Sequence, residues 1–133
     1  PGFSDEISGR GGADPSEFKK RLRQVMWEAG GIIRNRERLS SALTEVAELE
    51  KKAGMLRVSD DPSEISASLE LHSGIRTARM VLQSALKREE SRGAHFRDDF
   101  PEQDDETWGG HITIRASSTG GDAEFRFHPA PVD

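Results

Sequence analysis

The tetrapeptide Asp-Pro-Ser-Glu occurs twice in this chain, at Asp14 to Glu17 and again at Asp61 to Glu64, and each copy reads as a helix start. An aspartate at that place accepts the free N–H groups of the first turn, proline fits the first helical position, and glutamate can return a bond as in a capping box. Apolar residues recur at helical spacing behind both copies. Phe18, Leu22, Val25, Met26 and Ala29 make one stripe, with Glu17 and Arg21 spaced to pair on the outside. Trp27 falls on the opposite side of that helix. Gly30-Gly31 weakens or kinks it, and Ile32-Ile33 lead into the basic stretch Arg34-Asn35-Arg36. A second helix is expected from about Arg36 to Ala53, with Leu39, Ala42, Leu43, Val46, Leu49 and Ala53 on one face and Gly54 as its stop. Behind the second start signal, the longest helix is expected to reach about Ser91, with Gly93 just past its end. Leu71, Ile75, Ala78, Leu82, Ala85 and Leu86 form its main stripe, while Leu69 and Met80 project from the other side.

Regular helical patterning is confined to the middle of the chain. Residues 1–13 carry four Gly and only Phe3 and Ile7 as sizeable apolar side chains, which reads as a flexible linker. Past Gly93, charge, Pro101 and paired glycines predict an extended crossing loop. His111 to Arg115 and Ala123 to His128 alternate apolar and polar around a Ser/Thr/Gly turn, which predicts a small β-hairpin. The expected organisation is therefore a linker over 1–13, helices with the crossing loop over 14–110, and a hairpin tail over 111–133. At 133 residues this is one domain.

Composition removes several functional classes. Nineteen Lys and Arg against 24 Asp and Glu leave a formal charge of −5, which repels a phosphate backbone, so no nucleic-acid partner is expected. No stretch approaches the roughly 20 apolar residues of a membrane span, and the first residues lack a signal-peptide layout. The expectation is a cytoplasmic chain without direct membrane insertion. The absence of cysteine excludes disulfides, thiolate zinc sites and iron–sulfur ligation within it.

Chemistry-bearing residues cluster after the third helix. His95, Asp98, Asp99, Asp104, Asp105 and His111 are of metal-ligating type, but their spacing matches neither an EF-hand loop nor a His-x-x-x-His pair, and no metal site is assigned. Ser91, His95 and Asp98 lie close in sequence without a nucleophile elbow or oxyanion-hole motif, so no catalytic residue is assigned. Gly9-Arg10-Gly11-Gly12 follows no strand and fits neither dinucleotide nor P-loop fingerprints.

The segment ALKREESRGAHFRDDFPE, from Ala85 to Glu102, resembles the C-terminal helical domain of the succinate dehydrogenase and fumarate reductase flavoproteins, a family that includes L-aspartate oxidase. The stretch VMWEAGGIIRNRERL, from Val25 to Leu39, is similar to the same domain's first helix and turn. Two matches in the expected order span about residues 15–110. The chain departs from the family pattern at Ser73, where Asn is expected, and in a tail shorter than that of many succinate dehydrogenases.

The resemblance implies a mainly α fold, an antiparallel three-helix bundle followed by an extended loop and a small C-terminal β-hairpin, which the apolar stripes support. It implies a piece of a longer FAD-dependent oxidoreductase acting on succinate or fumarate, with no cofactor held by this chain. Its implied partners are its own flavin-binding domain and an iron–sulfur subunit, at the cytoplasmic face of a membrane complex. The C-terminal domain of L-aspartate oxidase is the near alternative, and a free-standing helical protein-binding module is the alternative of another class. Trp27, Leu69 and Met80, pointing away from the bundle axis, are the apolar candidates for an interface, with cover by the hairpin as the competing reading. Arg92, His95, Arg97 and Asp98 form either a polar latch to the flavin domain or an internal network tying the loop to the helix end.

Overall fold

The computed structural model describes residues 14–56, 60–117 and 123–131. The expected linker over 1–13 and the hairpin turn over 118–122 lie outside the described residues. Three helices, α1 (Pro15–Gly30), α2 (Arg36–Ala53) and α3 (Pro62–Lys87), are followed by a short helix α4 (Asp105–Trp108). Two-residue strands β1 (Ile33–Arg34) and β2 (Phe96–Arg97) pair in parallel, and β3 (Gly110–Arg115) pairs antiparallel with β4 (Glu124–Pro129).

Both Asp-Pro-Ser-Glu copies begin helices. Asp14 accepts from the Ser16 N–H at 2.9 Å and Asp61 from the Ser63 N–H at 2.8 Å, with proline in the first turn of each helix. Asn35 performs the same task for α2, accepting from the Arg38 N–H at 2.9 Å. At the other end of α1 the chain leaves through Gly31, where a Cβ would stand 2.5 Å from the Trp27 carbonyl oxygen, so only glycine fits.

The apolar stripes meet in one core. Phe18, Leu22, Val25 and Ala29 of α1 are buried against Leu39, Ala42, Val46, Leu49 and Ala53 of α2 and Leu71, Ile75, Ala78, Leu82 and Ala85 of α3. Helix direction follows from which residues meet. A Cβ at Gly74 would touch Leu22 and one at Gly30 would touch Leu82, so α1 and α3 ascend together. Arg21 reaches Glu45 of α2, and the start of α2 lies beside the end of α3, so α2 runs the other way. The result is an up-down-up bundle with each helix antiparallel to its sequence neighbour.

Two boundaries differ from the sequence reading. The third helix ends at Lys87 rather than near Ser91. Its last carbonyls are taken by a guanidinium: Arg97 Nη1 donates to the carbonyls of Ala85, Leu86 and Arg88 at 3.3, 2.9 and 3.3 Å. The crossing loop is also less extended than expected. It holds β2 and α4, and Gly93, at φ 57°, makes the left-handed turn inside the Arg92–His95 bridge. The hairpin forms as expected, with Ile112 opposite Phe127 and Ile114 opposite Phe125. No helix among the described residues is long and apolar enough to cross a membrane.

Candidate functional site

The segment after α3 is built around two ionised side chains that have no exposure to solvent, Glu90 and Arg97. Buried charges persist only when paired and fully hydrogen-bonded. Glu90 Oε1 accepts from Arg88 Nη1 and, at 2.9 Å, from Arg92 Nε, while Oε2 accepts from Arg92 Nη2 at 3.2 Å and from the Asp104 N–H at 2.9 Å. Burial pushes this carboxyl up, but the bonds from Arg92, the Asp104 amide and Arg88 outweigh it and hold Glu90 below its usual range. Arg97 grips Asp99 with two parallel bonds, Nε to Oδ1 at 2.8 Å and Nη2 to Oδ2 at 2.5 Å. Those bonds bring the Asp99 carboxyl down to about 2. Asp99 also accepts the Arg36 N–H at 2.9 Å, so a cation sits at the C-terminus of α3 and its anion at the N-terminus of α2.

The sequence candidates fall into this frame in different ways. Arg92 serves Glu90 and also donates to Asp105 at 2.5 Å. Arg97 faces inward, with its guanidinium 4.8 Å from the centre of the Phe100 ring. Asp98 is exposed and touches Asn35 Nδ2 at 3.4 Å. His95 sits between two elements. Its Nδ1 lies 2.9 Å from Arg34 Nη1, which can only donate, so Nδ1 accepts and Nε2 carries the proton given to the Arg88 carbonyl at 3.1 Å. Burial, with the charges of Arg34, Arg88 and Arg97, lowers the His95 pKa against the single raising bond to Arg88. Ser91 Oγ donates to the Phe100 carbonyl at 2.8 Å and accepts the Arg97 N–H at 2.9 Å, so its hydroxyl is a loop tie. Both His95 nitrogens are engaged elsewhere, and Ser91, His95 and Asp98 do not assemble. Among the described residues no three His, Asp or Glu side chains converge as metal ligands.

Sequence reasoning missed Arg34, Arg88 and Glu90, and it weighed Asp99 only as a metal-ligating type rather than as the partner of Arg97. Arg34 donates from Nε and Nη2 to the Gly30 carbonyl at 3.2 and 2.9 Å, closing α1, and thereby presents Nη1 to His95. Arg88 reaches the Trp108 and Gly110 carbonyls at 3.0 and 2.8 Å and ties the hairpin to the bundle. The available signal was the density of Arg and acid in the KREESRGAHFRDD stretch. Spacing alone does not say which of those charges turns inward.

The apolar candidates separate. Trp27 is 82% exposed and borders a groove of about 910 Å³ at the end of α1, together with Ile32 and Ile33, which are 83% and 49% exposed. Met80 is half-buried in a second groove between α3 and the hairpin. Leu69 is 64% exposed and borders neither groove.

The described residues do not fit a flavin dinucleotide. That cofactor needs a helix N-terminus with free N–H groups behind a glycine-rich turn, whereas α1 and α3 begin on aspartate caps followed by proline, and at α2, behind Gly30-Gly31, Asn35 and Asp99 take the Arg38 and Arg36 N–H groups.

Comparison with known proteins places this architecture. The family described as Fumarate reductase flavoprotein C-term matches residues 19–133. The fumarate reductase flavoprotein subunit of Mycobacterium tuberculosis is 33% identical over 116 residues, covering 84% of this chain and 20% of that protein. The chloroplastic L-aspartate oxidase of Arabidopsis thaliana is 35% identical over 102 residues, covering 74% of this chain and 16% of that protein. A solved E. coli quinol fumarate reductase superposes with a TM-score of 0.83 at 24% identity, over 98% of this chain and 23% of that one. The chain thus spans less than a quarter of the length of these relatives. The family match over residues 19–133 and a relative 33% identical over 84% of the chain make it the C-terminal domain of a member of the fumarate reductase and succinate dehydrogenase flavoprotein family.

Proposed function

We propose that this domain braces the flavin-binding part of its parent polypeptide, docking through the edge formed by Trp27, Ile32 and Ile33. The parent is read as an FAD-dependent oxidoreductase of succinate or fumarate. In the same reading, residues 1–13 link the bundle of 14–110 to the upstream chain, the hairpin tail of 111–133 closes its far side, and exposed Leu69 contributes to the contact with an iron–sulfur subunit.

One observation carries the docking role: three large apolar side chains lie open to solvent within the seven residues from Trp27 to Ile33, next to a helix that buries Phe18, Leu22, Val25 and Ala29. Single exposed apolar residues are ordinary, but a cluster headed by a tryptophan marks a surface that another surface covers. The extra length of the relatives supplies a partner in the same polypeptide. The 35% identity to L-aspartate oxidase favours a second reading of the parent, oxidation of an amino dicarboxylate, with the same bracing role for this domain.

Oxidative footprinting tests the docking role. The ratio of Trp27 to Trp108 labelling is expected to be high in the isolated chain and to fall in the full-length parent, since Trp108 is already held against Phe127 at 5.6 Å between ring centres. An unchanged ratio overturns it.

A further inference from the structure

Arg34 is a half-buried cation whose charge the described residues leave unanswered. Its hydrogen-bond partners are neutral: the carbonyls of Gly30 and Gly31 and the Nδ1 of His95. Among the described residues no carboxylate reaches it, whereas Arg88, Arg92 and Arg97 each hold one. A guanidinium has five N–H groups. Three of them, on Nε, Nη2 and Nη1, are engaged, which leaves one on each terminal nitrogen for a further acceptor. Burial without a counter-charge disfavours the cation and lowers its pKa.

Arg34 stands at the rim of the second groove, a space of about 460 Å³ between α3 and the hairpin. Met80, Val81, Ile112 and Ile114 make its apolar walls, and Arg88 and His95 share its rim; no acidic side chain among the described residues lines it. His95 is fixed as an acceptor toward Arg34, so it orients the guanidinium without neutralising it. A dianionic phosphate would face one unanswered cation and apolar walls, which desolvates more charge than is compensated. A single carboxylate on an apolar-flanked peptide matches both features, and a planar carboxylate fits two N–H groups on adjacent guanidinium nitrogens.

We infer that this groove receives an Asp or Glu side chain, flanked by apolar residues, from the part of the parent polypeptide upstream of Pro1, and that Arg34 is its anchor. The inference rests on the bracing role proposed above and assigns it a second contact, on the opposite flank of the Ile33-Arg34 strand from Trp27. The upstream chain is the occupant because the relatives extend far beyond this domain and the family places the domain at the C-terminal end.

Zero-length carbodiimide coupling of the full-length protein carrying Arg34→Lys tests this directly. The reagent condenses an amine with a carboxylate in contact with it, with loss of water, and peptide mapping reads both ends. The Lys19–Glu70 pair at 2.5 Å reports coupling within the same sample. The expected product joins position 34 to an Asp or Glu upstream of Pro1. Coupling of position 34 to any carboxylate within Pro1 to Asp133, or none beside a formed Lys19–Glu70 product, overturns the inference. Trp27 footprinting of the same preparation separates the two claims: Trp27 protected with position 34 uncoupled leaves the bracing role standing and removes this groove from it, while Trp27 unprotected removes both. A structure of the unsubstituted full-length protein reads the same contact without a variant. An upstream carboxylate within about 4 Å of the Arg34 guanidinium, the reach of an ion pair, supports the assignment, and its absence refutes it.

Discussion

Between the three long helices every buried large side chain is apolar, whereas at the end of α3 two of the most deeply buried side chains are a glutamate and an arginine. The two regions adjoin, with Arg97 bonded to carbonyls of Ala85 and Leu86 on the last turn of α3, and Ala85 is itself a core residue. They work by different physics. Apolar burial is non-directional and grows with area, so the core needs only the right stripes facing one another. A buried ion pair gains little net stability over apolar packing, yet losing one partner is expensive, so it selects a geometry. The core therefore explains why the helices associate. The seam explains where the chain leaves α3, how the crossing loop lies on α2, and where the hairpin is held.

The sharpest way to break this contrast is Glu90→Ala, which leaves Arg88 and Arg92 facing each other without their shared carboxylate. Loss of one partner from such a site costs about 3–5 kcal/mol. Urea melts should show that loss while far-UV circular dichroism at zero urea stays helical, with faster amide exchange confined to residues near Arg92 to Asp105. Leu82→Ala, at a side chain with no exposure, is expected to cost about 2–5 kcal/mol. Its effect should differ in kind, raising exchange in all three helices together. If the two substitutions gave the same exchange pattern, the division between core and seam would fail.

Acidification separates the regions without any substitution. The Asp99 carboxyl, held at about 2 chiefly by Arg97, lies below its unfolded value near 3.9, so its contribution is complete above that value and disappears as pH falls toward 2. His95 also has a lowered folded pKa, chiefly from burial. The unfolded chain therefore takes up the proton first, and stability declines as pH falls below about 6.5. Urea midpoints between pH 8 and 5 should fall in the wild type and flatten in His95→Gln. A flat wild-type profile would show that His95 is not held neutral by the seam.

The same contrast explains which parts of the structure were legible in the sequence. The starts of α1 and α3, the span of α2 and the pairing of the hairpin follow from caps and periodicities that lie within a few residues of the feature they set. The end of α3 at Lys87 does not, because Arg97 sets it from ten residues away by occupying the carbonyls of Ala85, Leu86 and Arg88. The β1–β2 pairing depends on the same fold-back, which brings Ile33 beside Phe96. Arg97 and Asp98 read alike as latch candidates, yet one is fully buried and the other exposed. That difference is set by Asp99 and the helix end, not by anything local to either residue. The outward direction of Trp27 was readable from helical phase at about 100° per residue. The half-burial of Met80 agrees with the competing reading, cover by the hairpin, but which of the three apolar candidates is covered depends on where Arg88 pins that hairpin.

The smallest expected effect concerns Trp27, whose side chain is held to serve a partner surface while the domain's own core is complete without it. Trp27→Ala is compared with wild type in urea melts of the isolated chain and of the full-length parent. A surface side chain changes stability by no more than about 0.5 kcal/mol, whereas a core tryptophan costs about 3–5 kcal/mol. The expected change is within about 0.5 kcal/mol in the isolated chain, together with a clear loss in the parent. A loss above roughly 2.5 kcal/mol in the isolated chain would put Trp27 in this domain's own core and end the docking proposal.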